Sequence, residues 1–309
     1  MTTPSTPGTP PVAPAGAKPA PTPAAPAAAK PGTPPPKVPP ASPLKLITGT
    51  EENRVRGVKV CYWGKAYSGK TGYMLTWPGV LLICMDPDLE TAFAVNRKRK
   101  QAGLPEVPIL APDMDTFHNR ILFAIRDRKL DDLVRTDPRF GDYKVQTIAF
   151  DSWTFYGSAV WANLCPGGGK GDFAMWQMYK DRMEATAETL GGIRAGCHIP
   201  DKAGRFYNYV ASVHEREYMD DEGKKVVEIG PSVQGQFYDK FFAYFGAVLQ
   251  CDVETGNPKE GATYFVRTVA NTQRKSMGSR LGRLPERCPG DYASLARAWG
   301  LAADGSTSE

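Results

Sequence analysis

The chain has 309 residues, 41% of them hydrophobic, with 38 Lys and Arg against 33 Asp and Glu and a net charge of +5. That length allows one large domain or two small ones, and so small a charge does not by itself mark a nucleic-acid-binding protein. No apolar run reaches membrane-spanning length, so a membrane partner is not expected.

Residues 1–44 hold 16 of the 28 prolines, filled out by Ala, Thr and Ser, with no aromatic residue. Such a segment cannot bury enough apolar surface to offset its ordering entropy, and it reads as a disordered, partly polyproline-II tail. It lacks the apolar stretch of a signal peptide and the arginines of a transit peptide. Two roles stay open for it: a tether for a partner, since Pro34-Pro35-Pro36 suits an aromatic groove, or a solubilising linker. Residues 45–301 are expected to form one α/β domain, and 302–309 a frayed tail.

A β-rich, mostly apolar segment at about 58–63 reads as a buried strand. It leads into Gly64-Lys65-Ala66-Tyr67-Ser68-Gly69-Lys70-Thr71, which fits G-x-x-x-x-G-K-[ST] at every specified position. Gly72 to Leu75 can begin a helix before Pro78 stops it. Strand, glycine loop and helix start are the context the motif needs. Gly64 and Gly69 permit backbone angles that carry N–H groups close to a phosphate chain. A helix N-terminus adds unsatisfied donors and partial positive charge. Lys70 is then placed to reach the β- and γ-phosphates, and the Thr71 hydroxyl to hold Mg²⁺. Gly64 to Gly72, every residue of it, is the candidate binding loop for a nucleoside triphosphate.

Val80 to Met85 reads as a second strand, ending in Asp86-Pro87-Asp88-Leu89-Glu90. Carboxylates past the end of a parallel strand stand where α/β sheets place ligands. One of them is a candidate to orient or deprotonate a water, and Asp86 or Asp88 is equally a candidate helix cap. The following helix closes on Asn96-Arg97-Lys98-Arg99-Lys100, either a solvated face or a nucleic-acid contact. Apolar spacing at Phe117, Ile121, Leu122, Ile125 and Leu130 predicts a helix over 117–133. Val145 to Asp151 is an apolar strand ending in a carboxylate, the pattern that holds Mg²⁺ beside the Thr.

Cys165 to Gly171 is a glycine loop with no Ser or Thr after its Lys. Phe173 to Leu190 reads as a helix whose Trp176, Met178, Tyr179 and Met183 face the core. Tyr207 to Val213 is a strand with His214-Glu215 at its end, which leaves two readings of His214 open: a sensor of a γ-phosphate, or a structural histidine. A hairpin turn follows at 219–227, a helix at 236–245, and strands at 247–253 and 262–270. From Arg267 to Arg287 six basic residues stand against the single acid Glu286, a stretch suited to stabilising phosphate in cis or in trans, or to binding a nucleic-acid backbone, and equally readable as an ordinary basic surface. The six cysteines include no C-x-x-C pair and read as reduced core thiols of a cytosolic protein; the adjacent pair Cys197-His198 is not expected to bind metal.

The order of these parts resembles the RecA-type ATPase core, and most closely the phage-encoded RecA-like nucleotide-binding proteins of single-strand annealing and recombination. The likeness covers about residues 55–295, and only the phosphate loop is specific by itself. It implies a mainly parallel central sheet flanked by helices, with antiparallel additions near the C-terminus. It also implies ATP and Mg²⁺ as cofactors, single-stranded DNA as partner, and a ring or filament of identical subunits in a cytoplasm, that of the host if phage-encoded. The tail would then suit a single-strand-binding protein or another partner. Carried over by position, Lys70 and Thr71 take the phosphate and Mg²⁺ roles, Asp151 the metal role, and His214 the sensing role. Asp88 falls where the family has a water-activating Glu, with Glu90 as a substitute. Arg274, Lys275, Arg280 and Arg283 fall in the region that supplies basic groups across a subunit interface, and Arg280 is the candidate catalytic one. Two rivals stay open: a small-molecule kinase, and an ATP-switched DNA-binding module with negligible hydrolysis.

Overall fold

The computed structural model describes residues 57–301, apart from 193–194, 199–200, 202–203, 221, 234–236 and 256–260. All of them fall within the unit from Thr48 to Glu309. The predicted tails at 1–44 and 302–309 lie outside the described residues.

In chain order the elements are β1 (Lys59–Gly64), α1 (Lys70–Met74), β2 (Val80–Cys84), α2 (Glu90–Gln101), β3 (Ile109–Leu110) and α3 (Met114–Thr116). A π-helical turn (Phe117–Ile121), α4 (Leu122–Arg126), α5 (Leu130–Val134), β4 (Thr147–Asp151), α6 (Trp153–Leu164) and α7 (Phe173–Gly191) follow. The remainder is β5 (Asn208–Met219), β6 (Val226–Pro231), α8 (Phe237–Phe241), β7 (Ala247–Thr255), β8 (Ala262–Arg267), β9 (Gly278–Ser279), β10 (Arg287–Cys288) and α9 (Tyr292–Trp299).

The sheet runs β10-β8-β7-β1-β5-β4-β2-β3, with β6 on β5 and β9 on β7. From β7 to β3 neighbouring strands are parallel, while β8, β9 and β10 join antiparallel at the far edge. Helices cover both faces, so the central strands are continuous apolar runs and not alternating ones. Alternation survives in which face each side chain serves. Cys61, Trp63, Leu81, Ile83, Ile148, Phe150, Tyr209 and Val213 point into the core shared with α6, α7 and α8. Val60, Tyr62, Leu82, Ala149, Val210 and Leu249 point to α1, α2 and α9. The thiols follow the expectation: all six cysteines are free, and all but the half-buried Cys288 are buried.

Three elements depart from the sequence reading. The helix expected over 117–133 is broken, because Arg128 takes a left-handed backbone (φ 57) that ends α4 and turns the chain into α5. Phe117, Ile121, Ile125 and Leu130 still reach one core. On α7, Tyr179 and Met183 are buried as expected, but Met178 and Trp176 are exposed, Trp176 lying against Trp161 with centroids 4.1 Å apart. Third, β5 does not stop at Val213. It runs past the ends of β1 and β4 and pairs with β6 from Glu215 to Met219, so the ladder continues as a two-stranded ribbon where its parallel neighbours have ended.

Candidate active site

The carboxyl ends of four strands meet at one rim. Gly64 of β1 is in register with His214 of β5, and Cys84 of β2 with Asp151 of β4. Because β5 lies between β1 and β4, the phosphate-type loop and Asp151 are one strand apart. Thr71, in the first turn of α1, spans that gap: its Oγ1 donates to Asp151 Oδ2 at 2.6 Å. The other oxygen, Oδ1, accepts from the hydroxyl of Ser212 on β5. Asp151 is 4% exposed and Ser212 not at all, so these two hydroxyls are the solvation of a buried carboxylate.

The loop conformation explains its glycines. Gly64 sits at φ 155 and Gly69 at φ 86. A Cβ on Gly64 would run into the carbonyl oxygen of Cys251 on β7, and one on Gly69 would lie 3.0 Å from the ring of Tyr264 on β8. Tyr67 also has positive φ (61) and stands 87% exposed at the crest. Ser68 Oγ closes the turn on the Lys65 carbonyl at 2.8 Å. Lys70 folds back over the loop, donating to the carbonyls of Gly64 (3.0 Å) and Lys65 (2.5 Å). Burial holds the Lys70 ammonium below the ordinary lysine value, while Asp151 and Asp86 act in the opposite direction.

The opposite wall is His214 and Asp86. The His214 ring stands edge-on to Phe155 at 5.3 Å, and its backbone N–H donates to Thr154 Oγ1 at 2.9 Å. Burial, then Lys70, hold the imidazole below the ordinary histidine value. Nε2 lies 4.0 Å from Asp86 Oδ2. Burial pushes the Asp86 carboxyl up, and Asp151 adds to this, whereas the Asp88 N–H opposes it. Between loop and wall lies a hollow of about 230 Å³ that also touches Asp88 and Thr91.

The structure thus brings together the loop from Ala66 to Thr71, Asp151, His214 and the carboxylates at 86 and 88. Glu90 is not part of the wall; its side chain is 79% exposed and lies 3.9 Å from Arg97. Arg280 is not there either. It adjoins β9, which pairs with the first residues of β7 at the amino rim of the sheet, and its guanidinium donates to the Phe245 carbonyl at 2.6 Å. Lys275 lines the same hollow as Arg280. Arg274 turns back on Asn271, and Arg283 is exposed. Sequence reasoning passed over Ser212, Thr154 and Phe155. The available signal for Ser212 was a lone hydroxyl in the otherwise apolar run Val210 to Val213.

The donors suit a phosphate chain with Mg²⁺. Among the described residues no three His, Cys, Asp or Glu side chains gather to hold a metal, and a Mg²⁺ shared with phosphates needs no such cage, only a carboxylate or two and waters. Thr71 and Asp151, already joined, are the residues that would hold it.

The fold class is α/β with the arrangement of a P-loop NTPase core: glycine loop after a central parallel strand, acid-ended strand one place removed. Among solved structures the chain is similar to the flagellar accessory protein FlaH of Methanocaldococcus jannaschii, at 9% identity over 75% of this chain and 84% of that one, TM-score 0.31. It is also similar to an ATPase from the type III secretion system of pathogenic bacteria (11% identity, 64% and 52% covered, TM-score 0.37). A KaiC-like protein of Pyrococcus horikoshii gives 9% identity, 69% and 79% covered, TM-score 0.30. Likenesses this slight identify neither family nor activity. No protein-family model matches the chain, and no curated protein does.

Proposed function

We propose that this protein binds ATP with Mg²⁺ at the carboxyl rim and hydrolyses it, and that the nucleotide state governs its hold on single-stranded DNA in recombination or strand annealing. The observation that carries the nucleotide half is the Thr71–Asp151–Ser212 arrangement beside the folded-back Lys70. Phosphates entering the loop would take over the Lys70 ammonium from the carbonyls of Gly64 and Lys65, and catalysis would be positioning and charge neutralisation.

Charge supports the placement of the DNA contact. The sequence from Glu215 to Glu228, within which the ends of β5 and β6 pair, has six acids against three basic residues. It would repel a phosphate backbone. The stretch from Arg267 to Arg287 is the reverse, and phosphate contacts are expected from it.

The same stretch supports a homo-oligomer. The described wall of the hollow contains Lys70 but no arginine, and Arg280 stands at the opposite rim of its own sheet. A head-to-tail ring or filament would bring that basic segment of one copy toward the site of the next. The proposed setting is cytoplasmic, in a phage-infected host if phage-encoded, with the proline-rich segment engaging a single-strand-binding protein or another partner.

The test is steady-state ATP hydrolysis with Mg²⁺, with and without single-stranded DNA, alongside light scattering for mass. DNA-stimulated turnover by a large assembly is the expected result, and Lys70→Ala should abolish it. Nucleotide-dependent DNA binding that persists in Lys70→Ala would refute the assignment. One observation favours the static-switch alternative: Glu90 points away, and Asp88, although it borders the hollow, is exposed and has one oxygen accepting the Glu90 N–H at 3.0 Å. Bound nucleotide with a hydrolysis rate equal to buffer would establish that alternative.

A further inference from the structure

Three carboxylates follow β2, and their surroundings separate them. Glu90 is out in solvent, 79% exposed. Asp88 is exposed, and its Oδ1 accepts the Glu90 N–H at 3.0 Å at the start of α2, a turn-closing role that fixes how the helix leaves the strand. Asp86 is different. Its side chain is only 18% exposed. Its backbone N–H, and that of Met85, both donate to the Asp151 carbonyl, at 3.1 and 2.5 Å, which anchors it to the end of β4. Its Oδ1 accepts the Asp88 N–H at 2.9 Å, so one oxygen is committed and the carboxylate plane is held. The other, Oδ2, faces His214 Nε2 at 4.0 Å.

That gap lies over the end of β4, since β5 and β2 flank β4 on its two sides. At 4.0 Å the two groups are beyond direct hydrogen bonding, and polar groups at such a separation are suited to sharing a water. Lys70, Thr71, Asp86 and His214 line one hollow.

We propose that Asp86, facing His214 across the end of β4, is the carboxylate that holds the attacking water, and that Asp88 is a positioning residue which sets the α2 turn. This rests on the ATPase reading above. In the step, the water oxygen forms a bond to the γ-phosphorus as the bond from that phosphorus to the β,γ-bridging oxygen breaks. The electron pair of the broken bond leaves on ADP, and the water proton leaves with the released phosphate or to solvent. Asp86 fixes the line of attack by accepting a hydrogen bond from the water, and the His214 ring limits where that water can sit.

The experiment uses the full-length chain with Mg²⁺ and compares wild type, Asp86→Asn and Asp88→Asn by kcat, KM and affinity for a fluorescent ATP analogue. Asn at 86 keeps an oxygen for the Asp88 N–H. The expected loss in kcat for Asp86→Asn is about 100-fold, the scale of a misplaced reactant, with KM and analogue affinity changed less than about 3-fold. Asp88→Asn is expected to lose no more than about 5-fold in kcat, because an amide oxygen still accepts the Glu90 N–H. Asp86→Glu serves if Asp86→Asn does not fold: charge is kept, the oxygen is displaced by a methylene, and kcat should fall about 10-fold at unchanged affinity. A larger loss for Asp88→Asn than for Asp86→Asn, with the wild type active, overturns this assignment alone. A wild type that binds the analogue without turnover overturns it together with the hydrolytic half of the proposed function. A wild type that binds no nucleotide overturns the whole reading.

Discussion

Ser212→Ala removes a single hydroxyl from a fully buried position on β5. In the wild type that hydroxyl donates to Asp151 Oδ1 while Thr71 donates to Oδ2. The substitution leaves the strand, its backbone ladder and the neighbouring apolar packing unaltered, so the change isolates one donor to a buried carboxylate. Hydrogen bonds to charged groups contribute about 1.5–3 kcal/mol, and a buried acceptor left short of a donor loses a similar amount. We therefore expect about 2 kcal/mol of destabilisation. At roughly 2–4 °C per kcal/mol for a domain of 150–250 residues, Tm should fall by about 4–8 °C. The assay is thermal unfolding without nucleotide, then with saturating Mg²⁺ and ATP. On the proposed reading nucleotide and metal would give Asp151 a new counter-charge, so the deficit should shrink in their presence. An unchanged Tm without nucleotide would refute the claim that Ser212 solvates Asp151, and an equal deficit in both conditions would refute the claim that Asp151 belongs to the metal site.

Gly64→Ala meets a φ of 155 and the Cys251 carbonyl together; strain and overpacking of this kind cost about 3 kcal/mol, so a Tm drop of roughly 10 °C is expected, and a drop under a degree or two would show that the β1–β7 contact yields easily. His118, on the π-helical turn, is held below the ordinary histidine value by burial first and by Arg182 next, with Asp115 acting in the opposite direction. The unfolded chain therefore takes up its proton first, and stability is full above about pH 6.5 and falls as pH drops below it toward the folded pKa. Urea midpoints between pH 5 and 7.5 should show a smaller loss in His118→Gln than in wild type, and parallel slopes would remove His118 from the account.

Much of this architecture could be read from residue order. The loop from Gly64 to Thr71 is legible from local chemistry, since glycines at fixed offsets, a lysine and a hydroxyl mark the turn, although the close approach of β7 and β8 to Gly64 and Gly69 is not. The apolar runs Val80 to Met85 and Ile148 to Phe150 announce strands buried on both faces, and a carboxylate after each marks the rim. Asp172, Asp291 and Ser152 cap α7, α9 and α6 through their own side chains, which is equally local. Other features depend on which strands become neighbours. Ser212 and Asp151 are 61 residues apart, and only the insertion of β5 between β1 and β4 makes one the hydrogen-bond donor of the other. The choice among Asp86, Asp88 and Glu90 turns on side-chain direction within five residues of chain, set by where α2 starts and by what lies across the rim. Arg280 sits in a basic run that could face either end of the sheet, and its antiparallel neighbour β9 on β7 places it at the end away from the loop. Sequence by itself determined the strand, loop and helix signals, because each is a contest among backbone conformations over a few residues. Tertiary structure alone decided the partners of Asp151, the orientation of Asp86 and the rim on which Arg280 lies, because those follow from the order in which distant strands pair.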